Sequence, residues 1–280
     1  MRDTKKAIGI IGFGNMGSSI AERIKTKFEV WVFDKDKNKT KNSRGINIAD
    51  NSIDLVNKVQ TIILAVKPQD FDDVLNEVKN YVKTKLLVSI AAGINTGYIE
   101  YSFGNARVIR CMPNIGVKIG ESVTCLCKGT FATDEDFAFV EELFRYLGKT
   151  KLIGEEMMDA STAIAGSGPA FIFDFIESNK IDPNNISDDT KQNIIQRLAK
   201  AAEKVGFNSE DAMFLSSATS ATSLNLIKLT KMRPAELKKQ VTSKGGTTEA
   251  GLEVLHRSGS WEEAAQAAVK RAQELSKRSE

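Results

Sequence analysis

The feature that most constrains this chain lies near its start. Residues 7–11, AIGII, form a short apolar run that stops at Gly12-Phe13-Gly14-Asn15-Met16-Gly17, after which apolar residues recur at helical spacing over 15–26. A buried strand, a glycine turn and a helix in that order make the G-x-G-x-x-G arrangement that binds a dinucleotide. Gly12 permits the tight turn, Gly14 lets the backbone approach a pyrophosphate, and Gly17 lets the helix pack close to the strand. The free N–H groups at the helix start then face the phosphates, so Phe13, Asn15 and Met16 are expected at the cofactor together with the glycines.

The rest of the first half repeats the theme. Short apolar runs at 29–33, 61–65, 86–89, 107–110, 123–127 and 150–153 read as strands. Stretches 68–82 and 134–147 read as helices, the first opened by Pro68 and the second by a Thr133–Asp136 capping box. Strands alternating with helices imply a parallel sheet. After about residue 155 strand-like runs stop. Helical patterns follow at 169–178, 190–205, 210–229, 234–241, 247–255 and 261–277, the last with Ser260 and Glu263 at capping-box spacing, and a polar loop spans 179–189. The fold class is α/β: a Rossmann-type parallel-sheet domain over 1–154, then an all-helical domain over 155–280.

Asp34 ends the second strand, about 20 residues past the glycines, where an acid binds the adenosine ribose. It accepts bonds from a free 2′-hydroxyl and repels a 2′-phosphate, which favours NAD. Lys35, Lys37, Lys39 and Lys41 follow it and can offset that repulsion, so NAD and NADP both stay open. The lysines equally suit a solvated face.

Composition narrows the partners. A net charge of +3 with 7% aromatics is no nucleic-acid signature. Cys111, Cys125 and Cys127 lack CxxC spacing and read as reduced thiols. His256 is the sole histidine, so no metal site is expected. The opening residues 1–6 carry no apolar leader and no run is long enough for a membrane span, which points to a cytoplasmic protein.

Four further segments stand at element ends: residues 64–69 (LAVKPQ), 89–94 (SIAAGI), 165–170 (AGSGPA) and 241–248 (VTSKGGTT). The last sets two glycines and two threonines at a helix start. That is either a nest of N–H groups for an anion or a helix capped by a threonine.

With residues 110–114 (RCMPN) and 241–255, these pieces give the chain a close resemblance to the pyrroline-5-carboxylate reductase family, running nearly its whole length. The resemblance implies hydride transfer from NADPH or NADH to the C=N carbon of 1-pyrroline-5-carboxylate, giving L-proline. It implies that the N–H groups of Gly246, Thr247 and Thr248 bind the substrate carboxylate with the Ser243 hydroxyl, that Gly245 belongs to the same substrate-binding loop, and that the Thr248 hydroxyl bonds the ring nitrogen as the catalytic contact. Ala65, Lys67, Pro68 and Asn114 would touch the cofactor, with Val66 and Ala91 beside them in the matching segments and Lys35 beside Asp34. It also implies a homo-oligomer, at least a dimer, with the substrate site between one subunit's helices and another's sheet domain. The chain differs from the family habit at Lys244, where proline is usual, at Ile115–Gly116, and in a longer stretch over 180–200. Those differences keep two alternatives in view: a reductase of another cyclic imine or 2-oxo acid, and a nucleotide sensor without catalysis.

Overall fold

The computed structural model describes residues 5–41 and 43–276. Most of the opening segment and residue 277 of the last expected helix therefore lie outside the described residues. Among the described residues eight strands form one sheet: β1 (Ala7–Ile11), β2 (Glu29–Phe33), β3 (Asn47–Ile48), β4 (Thr61–Leu64), β5 (Leu86–Ser89), β6 (Arg107–Met112), β7 (Ser122–Lys128) and β8 (Gly148–Leu152). Their order is β3-β2-β1-β4-β5-β6-β7-β8. All neighbours are parallel except β6 and β7. The connection between those two is one 3-10 turn, Ile115–Ile119, too short for the crossover that parallel pairing needs.

Side chains alternate across the sheet. Ile8 and Ile10 of β1, Ile63 of β4 and Val88 of β5 enter one core; Ile11, Ile62, Leu64 and Leu87 enter the other. Helices α1 (Asn15–Ile24) and α5 (Asp134–Arg145) cover the first face with Ile20, Ile24, Leu143 and Phe144. Helices α2 (Ser52–Lys58), α3 (Phe71–Val78) and α4 (Thr96–Phe103) cover the second with Leu55, Phe71, Leu75 and Ile99. The helix expected over 68–82 divides, because Pro68 opens a separate 3-10 turn ahead of α3.

Beyond β8 the chain is helical: α6 (Met158–Ser161), a π-helical turn (Thr162–Gly166), α7 (Gly168–Ser178), α8 (Asp188–Lys204), α9 (Ser209–Thr230), α10 (Pro234–Val241), α11 (Thr247–Ser258) and α12 (Trp261–Ser276). Their core of Phe171, Leu198, Leu215, Leu237 and Trp261 also takes Met112, Val123 and Cys125 from β6 and β7. The two halves thus share apolar contacts through the last strands. All three cysteines are free and buried, and burial pushes the Cys125 thiol up to about 12.

An ion cluster of a buried arginine and two half-buried carboxylates ties the halves where they join. Arg110 of β6 pairs with Glu155 and lies 3.6 Å from Asp159, while Glu155 also accepts the Thr96 N–H at 3.2 Å. Burial works to raise the Glu155 carboxyl, but Arg110 and the Thr96 donor hold it below the usual range. Of the two expected capping boxes, the one at Thr133–Asp136 closes in both directions. At Ser260 one arm forms, Glu263 N–H to Ser260 Oγ at 3.2 Å; the Ser260 N–H instead donates to Ser258 Oγ.

Candidate active site

The three glycines of the first turn carry distinct loads. Gly12 has φ +99°, and a Cβ there would lie 2.6 Å from the Ala65 carbonyl oxygen. At Gly17 a Cβ would lie 2.0 Å from the Gly12 oxygen, so α1 can approach the turn only through glycine. At Gly14 a Cβ would meet nothing within 4 Å, which leaves the backbone open to a ligand. Among the described residues, the first turn of α1 has neither a side-chain cap nor an acid, so its N–H groups face that opening.

On one side of this loop lies a cavity of about 620 Å³, lined by Gly12, Gly14, Asp34, Lys35, Ala65, Val66 and Lys67 among others. Asp34 Oδ2 accepts the Phe13 N–H at 2.7 Å and Oδ1 accepts the Asp36 N–H at 2.9 Å. Burial pushes this carboxyl up, but the two N–H donors and the Lys39 ammonium hold it below the usual range, so it is charged. Pro68 opens the neighbouring 3-10 turn, with Lys67 just ahead of it.

On the other side lies a cavity of about 280 Å³, lined by Asn15, Met16, Asn114, Ser167, Thr247 and Thr248 among others. The glycine loop and the threonine loop, more than 200 residues apart in sequence, thus open on one cavity within a single chain. Gly251 makes this possible: α11 lies so close to α7 that a Cβ there would sit 2.6 Å from the Phe171 ring. Asp174 of α7 adds a clamp, its Oδ1 accepting from Lys238 Nζ of α10 and bonding His256 Nε2 of α11, both at 2.9 Å. These are the helices on either side of the threonine loop.

The threonine loop differs in detail from the expectation. The residue capping α11 is Gly246, without a side-chain cap, so the threonine-capped alternative does not hold. The Gly246 N–H is spent on the Ser243 carbonyl at 3.0 Å, and the Gly245 N–H donates to Glu249 Oε2 at 2.6 Å. That leaves Thr247 and Thr248 as the cradle's donors. Ser243 is exposed and lines neither cavity. The Thr248 hydroxyl donates to Ser167 Oγ at 3.0 Å, and Ser167 Oγ lies 3.2 Å from Thr247 Oγ1.

Two expected cofactor contacts have other duties. Ala91 is buried in the sheet's second core, and the space beside Gly93 is filled by Leu275 and Ser276 of α12 rather than left for a ligand. Asn114 borders the smaller cavity, but its Oδ1 accepts the Gly116 and Val123 N–H groups at 3.0 and 3.2 Å. Its Nδ2 donates to the Ala165 carbonyl at 3.1 Å. It is a rivet between the sheet and the π-helical turn. Ser167, within the AGSGPA segment, lines the smaller cavity, and no local pattern singles it out. Two more residues have no local sequence signal: Lys118, which reaches Gln240 across the smaller cavity and whose ammonium burial pushes down, and Arg271, which donates to the Gly245 carbonyl at 2.8 Å.

Known proteins resemble this chain in sequence and fold. A family profile described as pyrroline-5-carboxylate reductase dimerisation matches residues 192–277, and one described as NADP oxidoreductase, coenzyme F420-dependent, matches 7–93. The pyrroline-5-carboxylate reductase of Arabidopsis thaliana is 35% identical, covering 96% of this chain and 95% of its own length. That of Aquifex aeolicus is 33% identical, covering 90% and 89%. The chain belongs to the pyrroline-5-carboxylate reductase family. A solved member from Plasmodium falciparum, with NADP bound, superposes with a TM-score of 0.64 at 28% identity over 99% of both chains. As a member of this family the chain is a nicotinamide-dependent oxidoreductase, and its sheet domain is of the NADP-binding type. Among the described residues no helix is long and apolar enough to cross a membrane.

Proposed function

We propose that this chain reduces the C=N bond of 1-pyrroline-5-carboxylate to give L-proline, using NADPH or NADH in the cytoplasm. The observation that carries this reading is the shared cavity: two uncapped helix starts, α1 and α11, open on one space beside Thr248. The open backbone at Gly14 fits a pyrophosphate, and the cavity beside Asp34 fits an adenosine. When bound, the reduced nicotinamide supplies the hydride. The chain's own residues do the rest. The Thr247 and Thr248 N–H groups at the positive end of α11 hold the substrate carboxylate. The Thr248 hydroxyl donates its hydrogen bond to Ser167 Oγ, which leaves its oxygen to accept an N–H bond from the protonated ring nitrogen. That favours the iminium form, whose carbon accepts hydride most readily. Positioning and electrostatics of this kind supply the rate, without a general base.

In this reading residues 1–154 bind nucleotide, and residues 155–280 bind substrate and pair with a second copy, in keeping with the dimerisation profile over 192–277. The test is purified protein with 1-pyrroline-5-carboxylate and each reduced cofactor, alongside a six-membered cyclic imine and a 2-oxo acid. The five-membered imine is expected to be turned over fastest. Thr248→Val is expected to cut kcat about a hundredfold while nucleotide affinity stays within about twofold. No proline formed with either cofactor would refute the proposal.

A further inference from the structure

The lysines that follow Asp34 are alike in sequence, but the structure separates them. Lys35 also lines the larger cavity, but its Nζ lies 2.6 Å from Asp70 Oδ1 rather than at Asp34, with its side chain three-quarters exposed. Lys41 Nζ bonds Asn38 Oδ1 at 2.6 Å, and Lys37 lines a smaller hollow on another side of Asp34, with Ile48 and Asp50, and not the larger cavity. Lys39 Nζ stands within the larger cavity, 3.1 and 3.2 Å from the two oxygens of Asp34.

Asp34 itself has little freedom. Each of its oxygens already accepts a backbone N–H, one of them from Phe13 inside the glycine turn. It therefore braces that turn and keeps its charge where an adenosine ribose would lie. A fixed carboxylate there suits a free 2′-hydroxyl and repels a 2′-phosphate. Taking NADPH requires a mobile cation at the same point. Lys39 has a flexible four-carbon stem and three donors, and releasing it leaves Asp34 still held by two N–H groups.

We propose that Lys39 is the residue that sets the choice between NADPH and NADH: its ammonium rests on Asp34 and turns to the 2′-phosphate of NADPH, whereas NADH bonds Asp34 through its 2′-hydroxyl without needing the lysine. This rests on the reading above that the larger cavity takes the adenosine end of the cofactor. It assigns the role to Lys39, which rests on Asp34, over Lys35, which pairs with Asp70.

The test is calorimetric binding, free of turnover, with NADP+, NAD+, 2′,5′-ADP and 5′-AMP. The proteins are the full-length chain, Lys39→Met and Lys35→Met. A charge-assisted bond to phosphate is worth about a tenfold to hundredfold change in affinity. Lys39→Met is expected to weaken NADP+ and 2′,5′-ADP by that factor and to leave NAD+ and 5′-AMP within about threefold. Equal weakening of all four ligands would overturn the proposal, since the lysine would then only brace Asp34. An unchanged NADP+ affinity, or a larger loss with Lys35→Met, would overturn it as well. If the unaltered chain binds neither dinucleotide, the cofactor-site reading fails and takes this inference with it.

Discussion

Replacing Asn114 with alanine separates a structural role from a cofactor contact. The side chain is 2% exposed and makes three bonds, to the Gly116 and Val123 N–H groups and the Ala165 carbonyl. Alanine leaves all three backbone groups without that partner. Each unpaired buried group costs about 1–3 kcal/mol, and a water entering the vacated space recovers part of the sum. The expected loss is about 3–5 kcal/mol, near the top of what single substitutions cause. For a chain of this size that corresponds to a fall in Tm of roughly 6–20 °C. Differential scanning calorimetry of the nucleotide-free protein reads it directly, and NADP+ binding by the protein still folded at low temperature gives the second number. A contact made chiefly to the cofactor would leave the nucleotide-free Tm in place and raise Kd. A Tm shift under about 2 °C would therefore refute the rivet.

Gly17→Ala forces a Cβ to within 2.0 Å of a backbone oxygen, so the turn must open; nucleotide affinity is expected to fall about a hundredfold, read by calorimetry, and unchanged affinity would contradict the packing argument. Asp174→Asn loosens the clamp on α10 and α11 and is expected to cost about 1–2 kcal/mol at neutral pH. Burial pushes the Asp174 carboxyl up, but Lys238 and His256 hold it below its unfolded value. Its contribution is thus present above the ordinary aspartate range and lost as pH falls through the depressed value, so the Tm gap between variant and parent should close in acid.

The sheet domain was legible because its signals are local. A five-residue apolar strand, three glycines at fixed offsets and an acid at the end of the next strand all fall within the first 34 residues. What escaped was short or non-local. Helices α2 and α4 span only seven and eight residues, and their cues are single residues: Asn51 and Asn95 each cap through their side chains. Strand β3 has two residues and exists only because β2 offers an edge. In the candidate site, the composition of the threonine loop gave its place but not which N–H groups stay free, since Glu249 and the Ser243 carbonyl claim two of them after folding. Ser167 lies 81 positions before Thr248, and only the packing of α11 on α7 through Gly251 brings them together. Asn114 has the same history: its partners are fixed by the antiparallel turn into β7, which no local pattern announces.

The central claim is best tested by a crystal structure of the chain with NADP+ and L-proline. The proline carboxylate is expected on the N–H groups of Thr247 and Thr248, the ring nitrogen at the Thr248 hydroxyl, and the adjoining ring carbon facing the nicotinamide. Proline lodged elsewhere, or a nicotinamide that points away from the α11 start, would contradict it.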